Sequence, residues 1–261
     1  MLTLRNFLVR GLLAGLIAGL AAFVVGYVVG EPPVAASIAI EEQGGGHSHE
    51  TQAQAPAPEE EAGTEVPRDL QSTLGLATGM LVLGTALGGL AGIMTGVAFG
   101  RFGRRSARST SLAVAGVAFT VFYVVPYLIY PPNPPAVGHG ETIGYRTSLY
   151  FAMLAISVLA AVLALYLGRR LQPNLGAWSA GLVGMGTYLV IVLIALGVMP
   201  RYDEVPEDFP AVLLYQFRQA SVVTQAVLWG VIGVVLGELT HRLTVKGRPQ
   251  ARTATQLTNV G

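Results

Sequence analysis

The chain has 261 residues, of which 52% are apolar and only 12% charged, with a formal net charge of +1 and no cysteine. A soluble domain carries about 25% charged residues, so the composition excludes an ordinary water-soluble fold. The missing cysteines exclude disulfides, thiolate metal sites and a cysteine nucleophile.

Six apolar segments are long enough to cross a bilayer, given about 20 residues per crossing: residues 7–30, 74–99, 112–130, 149–167, 177–199 and 220–239. The first follows Arg5 and Arg10, so a cleaved signal peptide is its alternative, with small residues Ala35 and Ala36 just beyond. Its apolar run exceeds the 7–15 residues typical of a signal core, and its spaced glycines suit a retained span. Gly11, Gly15 and Gly19 share one helix face, as do Gly84, Gly88, Gly92 and Gly96, and Gly233 and Gly237 repeat the spacing. Small residues four apart let helix backbones approach closely in lipid. A pore-lining groove is the other reading, and spacing alone does not choose between them.

The first connection, residues 31–71, is rich in Glu, Gln, Ala, Pro and Gly, and is expected to be mostly disordered because it has little apolar surface to offset ordering. It contains His47, His49 and Glu50, ligand types that suit borderline divalent ions, although a disordered loop does not fix a coordination geometry. The third connection holds consecutive prolines at 131–132 and 134–135, then His139 and Glu141, which could add ligands. Pro126, late in the third segment, predicts a kink or an end.

The charges sort by side. Twelve of the 16 basic residues (Arg5, Arg10, Arg101, Arg104, Arg105, Arg108, Arg169, Arg170, Arg242, Lys246, Arg248 and Arg252) fall at the N-terminus, in the second and fourth connections or in the tail. The positive-inside rule puts these in the cytoplasm. All of the acids except Glu238 fall in the other connections. The expected fold is therefore an all-α polytopic membrane protein with about six transmembrane helices, glycine-mediated packing and both termini cytoplasmic. Residues 1–242 read as one helical membrane domain, and 243–261 as a basic cytoplasmic tail.

Residues 203–229 are the most informative stretch. Asp203, Glu204, Glu207 and Asp208 form an acidic loop that would attract cations to the mouth of the bundle; a solvated loop that helps set topology is the plainer reading. The following helix carries polar residues deep in an apolar segment, where they are costly. Arg218, Ser221 and Gln225 share one face, with Thr224 beside them. They read as a hydrated path or as interhelical hydrogen bonds, and Arg218 as an interfacial anchor or the partner of an outer acid. Arg146, with Thr142, Thr147 and Tyr150, opens the fourth segment in a similar way. Glu238 and His241, three apart on one face at the inner end, give only a weak metal signature, because half of the two-helix motif is missing.

No phosphate-binding G-x-x-x-x-G-K-[ST] loop, H-E-x-x-H or G-x-S-x-G occurs. No basic surface domain for nucleic acid is present. No nucleophile, base and orienting group come together as an enzyme would need, so the chain is not expected to be an enzyme.

The whole chain, over roughly residues 1–242, resembles the CbtA family of probable cobalt transporter subunits. The likeness rests on the first span leading into a loop with Glu41, Glu42, His47, His49 and Glu50, and on the C-terminal part. There it takes in Val205-Pro206, Phe209-Pro210-Ala211, Phe217-Arg218-Gln219-Ala220-Ser221, and Thr224 and Gln225 leading to Trp229 before a Gly-rich span. The family is often described with five spans, where six are counted here, and this histidine tract is shorter than usual. The resemblance implies a permease for divalent metal, with cobalt(II) as substrate rather than resident cofactor. It also implies a link to cobalamin synthesis and a small single-span His-rich partner, CbtB. A non-transporting scaffold, assembly or sensory subunit in the membrane is the alternative.

Overall fold

A computed structural model describes residues 3–45, 67–101 and 106–246. These residues are helical apart from short connections, with no strand among them. The elements are α1 (Leu4–Val25), α2 (Glu31–Gly45), α3 (Arg68–Leu70), α4 (Leu76–Ala98), α5 (Ala107–Phe119), α6 (Val125–Ile129), α7 (Ile143–Val198) and α8 (Ala211–Lys246). Three π-turns, Gly26–Gly30, Gln71–Gly75 and Thr120–Val124, join α1 to α2, α3 to α4 and α5 to α6.

Two of these π-turns directly precede prolines. A proline in a helix lacks an N–H and presses its ring on the carbonyl four residues back. Before Pro126 the winding widens, and the Val125 N–H reaches Thr120 O, five residues back. Before Pro32 and Pro33 the Glu31 N–H reaches Gly26 O in the same way. Pro126 therefore leaves the helix running on to Ile129 instead of ending it. Pro32 and Pro33 are likewise absorbed, and helix continues through α2. This corrects the expectation of a disordered connection over residues 31–45. The apolar residues Val34, Ala35, Ala36, Ile38 and Ile40 sustain the helix there, and the buried Ser37 hydroxyl donates to Pro33 O at 2.8 Å.

Among the described residues five helical stretches are long and apolar enough to cross a membrane: Leu4–Gln43, Arg68–Ala98, Ala107–Ile129, Gly140–Val198 and Ala211–Val245. The sequence segments 149–167 and 177–199 both fall in the fourth, which has 59 residues. At 1.5 Å per residue it would measure about 88 Å if straight, nearly three times a hydrocarbon core. It is not one straight helix, because Gly176 has φ 75° and ψ 165°. That left-handed φ suits glycine, and Pro173 just before it withholds one backbone donor.

By contacts the chain divides into two compact units, where the sequence reads as one domain over 1–242. Long helices spread their partners along their length, so each part of a helix gathers its own neighbours. The first unit comprises Met1–Ala22, Ala77–Gly116 and Val227–Gly261. In it α1 and α4 meet through glycines. A Cβ at Gly84 would lie 2.7 Å from Gly15 O, one at Gly88 2.6 Å from Gly15 N, and one at Gly92 3.0 Å from Gly11 Cα. Gly233 and Gly237 of α8 sit against Leu112, Ala115 and Arg108 of α5. The Arg10 Nε donates to Leu239 O at 3.2 Å. Glu238 accepts from Arg108 (Nη2, 2.8 Å) and Arg242 (Nε, 2.8 Å). Its carboxylate is therefore engaged by two guanidiniums.

The second unit comprises Phe23–Leu76 and Val117–Ala226. Its core gathers Val125, Tyr130, Leu149, Met153, Val192 and Ala195. The buried Ser157 hydroxyl sits 3.0 Å from Val121 O and 2.9 Å from the Tyr188 hydroxyl. Glu31 pairs with Arg68.

Candidate functional site

The second unit holds a connection that proline and glycine shape closely. Between α6 and α7 four prolines fix φ, while Ala136 (φ 65°) and Gly138 (φ 104°) turn the chain through the left-handed region. The φ of 104° favours glycine at 138, and a Cβ there would lie 2.8 Å from Cζ of the Arg146 side chain. The Tyr130 hydroxyl donates to Pro200 O at 2.6 Å, and its ring stacks on Tyr202 at 5.4 Å and 5°. Arg218 of α8 reaches the same connection, with Nη2 2.9 Å from Asn133 Oδ1 and Nε 3.4 Å from Pro132 O. Arg218 therefore anchors α8 to a loop amide and a backbone carbonyl.

Two cavities flank this connection. One, of about 540 Å³, is lined by Glu41 of α2, by His139 and Arg146, and by Asp208 and Phe209, among others. The other, of about 570 Å³, is lined by Tyr123, Tyr127, Tyr130, Tyr150 and Tyr202, with Asn133, Arg146, Thr147 and Ser221 among its polar members. Arg146 faces both.

Arg146 is partly buried. Its Nε lies 3.4 Å from Glu204 Oε2, an ion pair without hydrogen-bond alignment, so Nε is left without a hydrogen-bond acceptor. Its Nη2 donates to His139 O at 3.1 Å. Glu204 also accepts the His139 N–H at 3.0 Å. The Thr142 hydroxyl, 2.9 Å from His139 O, stands where it can donate to the carboxylate instead.

These groups hold the Glu204 carboxyl below the usual glutamate range, Thr142 most strongly, then the His139 N–H; a smaller desolvation opposes them, and Arg146 adds less than any of these. Burial pushes the Tyr130 and Tyr202 phenols up, so both stay neutral near pH 7. The sign for Glu204 follows by linkage. Its stabilising contribution is complete above the ordinary glutamate value of about 4.3 and is lost as pH falls below it. Thermal unfolding of the wild-type chain and Glu204→Gln should therefore differ at pH 7 and converge at lower pH. A difference that persists unchanged to pH 3 would contradict the assignment.

The sequence-predicted residues distribute as follows. His139 and Asp208 share the first cavity, joined by Glu41, while Glu141 and Glu207 are exposed. Asp203 accepts the Val205 N–H at 3.2 Å. Glu204 is spent on its ion pair and hydrogen bonds. Ser221 lines the second cavity, with its hydroxyl 2.9 Å from that of Tyr123. Thr224 is buried and Gln225 half-buried, and neither lines these two cavities. His47, His49 and Glu50 lie outside the described residues. Among the described residues no group of three or more His, Asp or Glu side chains is close enough to hold a metal ion directly. Sequence reasoning misses Tyr123, Tyr127, Tyr130 and Tyr202, although the spacing 123, 127, 130 is a helical face in plain view.

Among the described residues, five helical stretches long and apolar enough to span a bilayer define a multi-pass helical membrane protein. The sequence profile of the CbtA family, "Probable cobalt transporter subunit (CbtA)", matches residues 4–241, and the chain belongs to that family. No curated relative and no solved structure matches the chain.

Proposed function

We propose that the chain is the permease subunit of a divalent-metal importer, most simply for cobalt(II) used in cobalamin synthesis. The carrying observation is family membership over nearly the whole chain. The 540 Å³ cavity gives that reading a physical starting point. Glu41 of α2, His139 of the α6–α7 connection and Asp208 of the α7–α8 connection line one cavity, without converging into a direct ligand set. That arrangement suits a hydrated divalent ion, drawn by charge and held through its own waters. His47, His49 and Glu50 would add capture from the same connection as Glu41.

In this reading the chain crosses the cell membrane six times, with the Gly176 break as a cytoplasmic turn and both termini cytoplasmic. Arg169 and Arg170 then join the other basic clusters on one side, as the positive-inside rule asks. Glycine contacts hold the helices together, and a small single-span His-rich subunit of the CbtB kind supplies the remaining ligands. The chain acts by passage and not by chemistry, so it is not an enzyme.

Accumulation of labelled cobalt in cells lacking other importers, with the chain expressed alone and with the small subunit, tests this. Replacing Glu41 and Asp208 by their amides should lower uptake about threefold at low ionic strength, and less at high salt, because exposed charge is screened. Correctly inserted protein that gives no uptake even with the small subunit would point to a non-transporting scaffold.

A further inference from the structure

The tyrosine-lined cavity does not match the needs of a bare metal ion. Among the described residues Arg146 is its only charged lining residue, and no carboxylate or imidazole lines it. A divalent ion that sheds water demands oxygen or nitrogen ligands of opposite or polarised charge. Neutral phenols and a guanidinium offer the reverse.

The same features suit an organic anion. A volume of about 570 Å³ falls in the range of small-molecule sites, which are mostly apolar or aromatic with a few placed polar groups. Tyr130 and Tyr202, stacked on each other at 5.4 Å and 5°, line the cavity together with Tyr123, Tyr127 and Tyr150. Arg146 Nε is buried and lies 3.4 Å from Glu204 Oε2 without an aligned hydrogen bond, so the guanidinium has one carboxylate beside it and hydrogen-bond capacity left unfilled. A buried donor with no aligned acceptor is uncommon. A guanidinium fork matches a carboxylate in shape and charge.

We propose that this cavity binds a small carboxylate with a flat body, recognised by Arg146 and packed on the tyrosines. The inference goes beyond metal uptake and stands without it. The carboxylate can belong to a free organic acid or to a metal chelate, and the two share this chemistry.

The test uses the full chain in neutral-lipid nanodiscs, with empty nanodiscs subtracted, and titration calorimetry at pH 7. The probes are 2-naphthoate and its neutral isostere 2-naphthamide. Naphthoate should bind at least tenfold tighter, a comparison on the unmodified chain that needs no variant. Arg146→Gln should abolish the preference. If that variant does not insert, Arg146→Lys replaces it and should lose at least threefold in naphthoate affinity. Citrate with and without cobalt(II) separates the sources: binding of citrate alone supports a free acid, and binding only of the cobalt complex supports a chelate. Equal affinity for naphthoate and naphthamide, no carboxylate binding above empty nanodiscs, or unchanged naphthoate affinity in the Arg146 variant would overturn the assignment.

Discussion

Gly88→Ala should strongly destabilise the first unit, while Gly79→Ala should leave it nearly unchanged. A Cβ at Gly88 meets backbone atoms of α1, 2.6 Å from Gly15 N, whereas one at Gly79 meets nothing within 4 Å. Side chains can rotate away from a clash, but a backbone cannot move without taking its helix along. Separating α1 from α4 at Gly88 also opens the neighbouring contacts at Gly84 and Gly92 on the same face. Overpacking typically costs about 1–3 kcal/mol, and this site should lie at or above the upper end. Both substitutions improve intrinsic helix propensity equally, so propensity cancels from the comparison. Thermal unfolding of the two purified variants measures the difference. Equal stabilities would mean that the close approach of α1 and α4 is dispensable.

Met153→Ala should destabilise the second unit by about 2 kcal/mol, a figure set by the volume it empties. Met153 is fully buried among Val125, Tyr130, Leu149, Val192 and Ala195. In lipid, moving an apolar group from core to surroundings gains little, since both are apolar. What remains is the cavity left behind. Removing about 75 Å³ at about 24 cal/mol per Å³ gives the quoted figure if the site does not collapse. Met153→Leu should cost under about 1.5 kcal/mol, since volume is nearly kept. Reversible unfolding in mixed detergent, read as the gap between the two variants, checks it. A gap near zero would mean that the helices close over the vacancy.

The glycine faces are legible in the sequence alone because their spacing and their geometry are the same fact: residues four apart lie on one side of a helix. The helical class is legible from apolar length. Other features are not. Glu41, His139 and Asp208 are separated in turn by about 100 and about 70 residues, and nothing local in a sequence announces that one helix and two connections share a cavity. Glu204 reads as one of four free acids, yet its partner Arg146 lies 58 residues away. Arg218 reads as an interfacial anchor or the partner of an acid, and it binds Asn133 instead. Residues 31–45 mislead because the Glu-, Gln-, Pro- and Gly-rich composition of 31–71 taken as a whole hides the short apolar run from Val34 to Ile40 that continues the helix. The tyrosine cavity is half legible. Tyr150 stands close to Arg146 in the chain, while the stripe at 123, 127 and 130 passes as ordinary apolar filling.

Each π-turn holds one residue more than a regular helix would use over the same rise. In a helix a residue is also an angle of about 100°. Within the second unit, the wider turn at Thr120–Val124 takes up its surplus residue locally, so α5 passes into α6 with the phase of the helix nearly kept. Tyr123 inside that turn and Tyr127 just beyond it both line the tyrosine cavity, so the widened turn is itself a piece of the cavity wall.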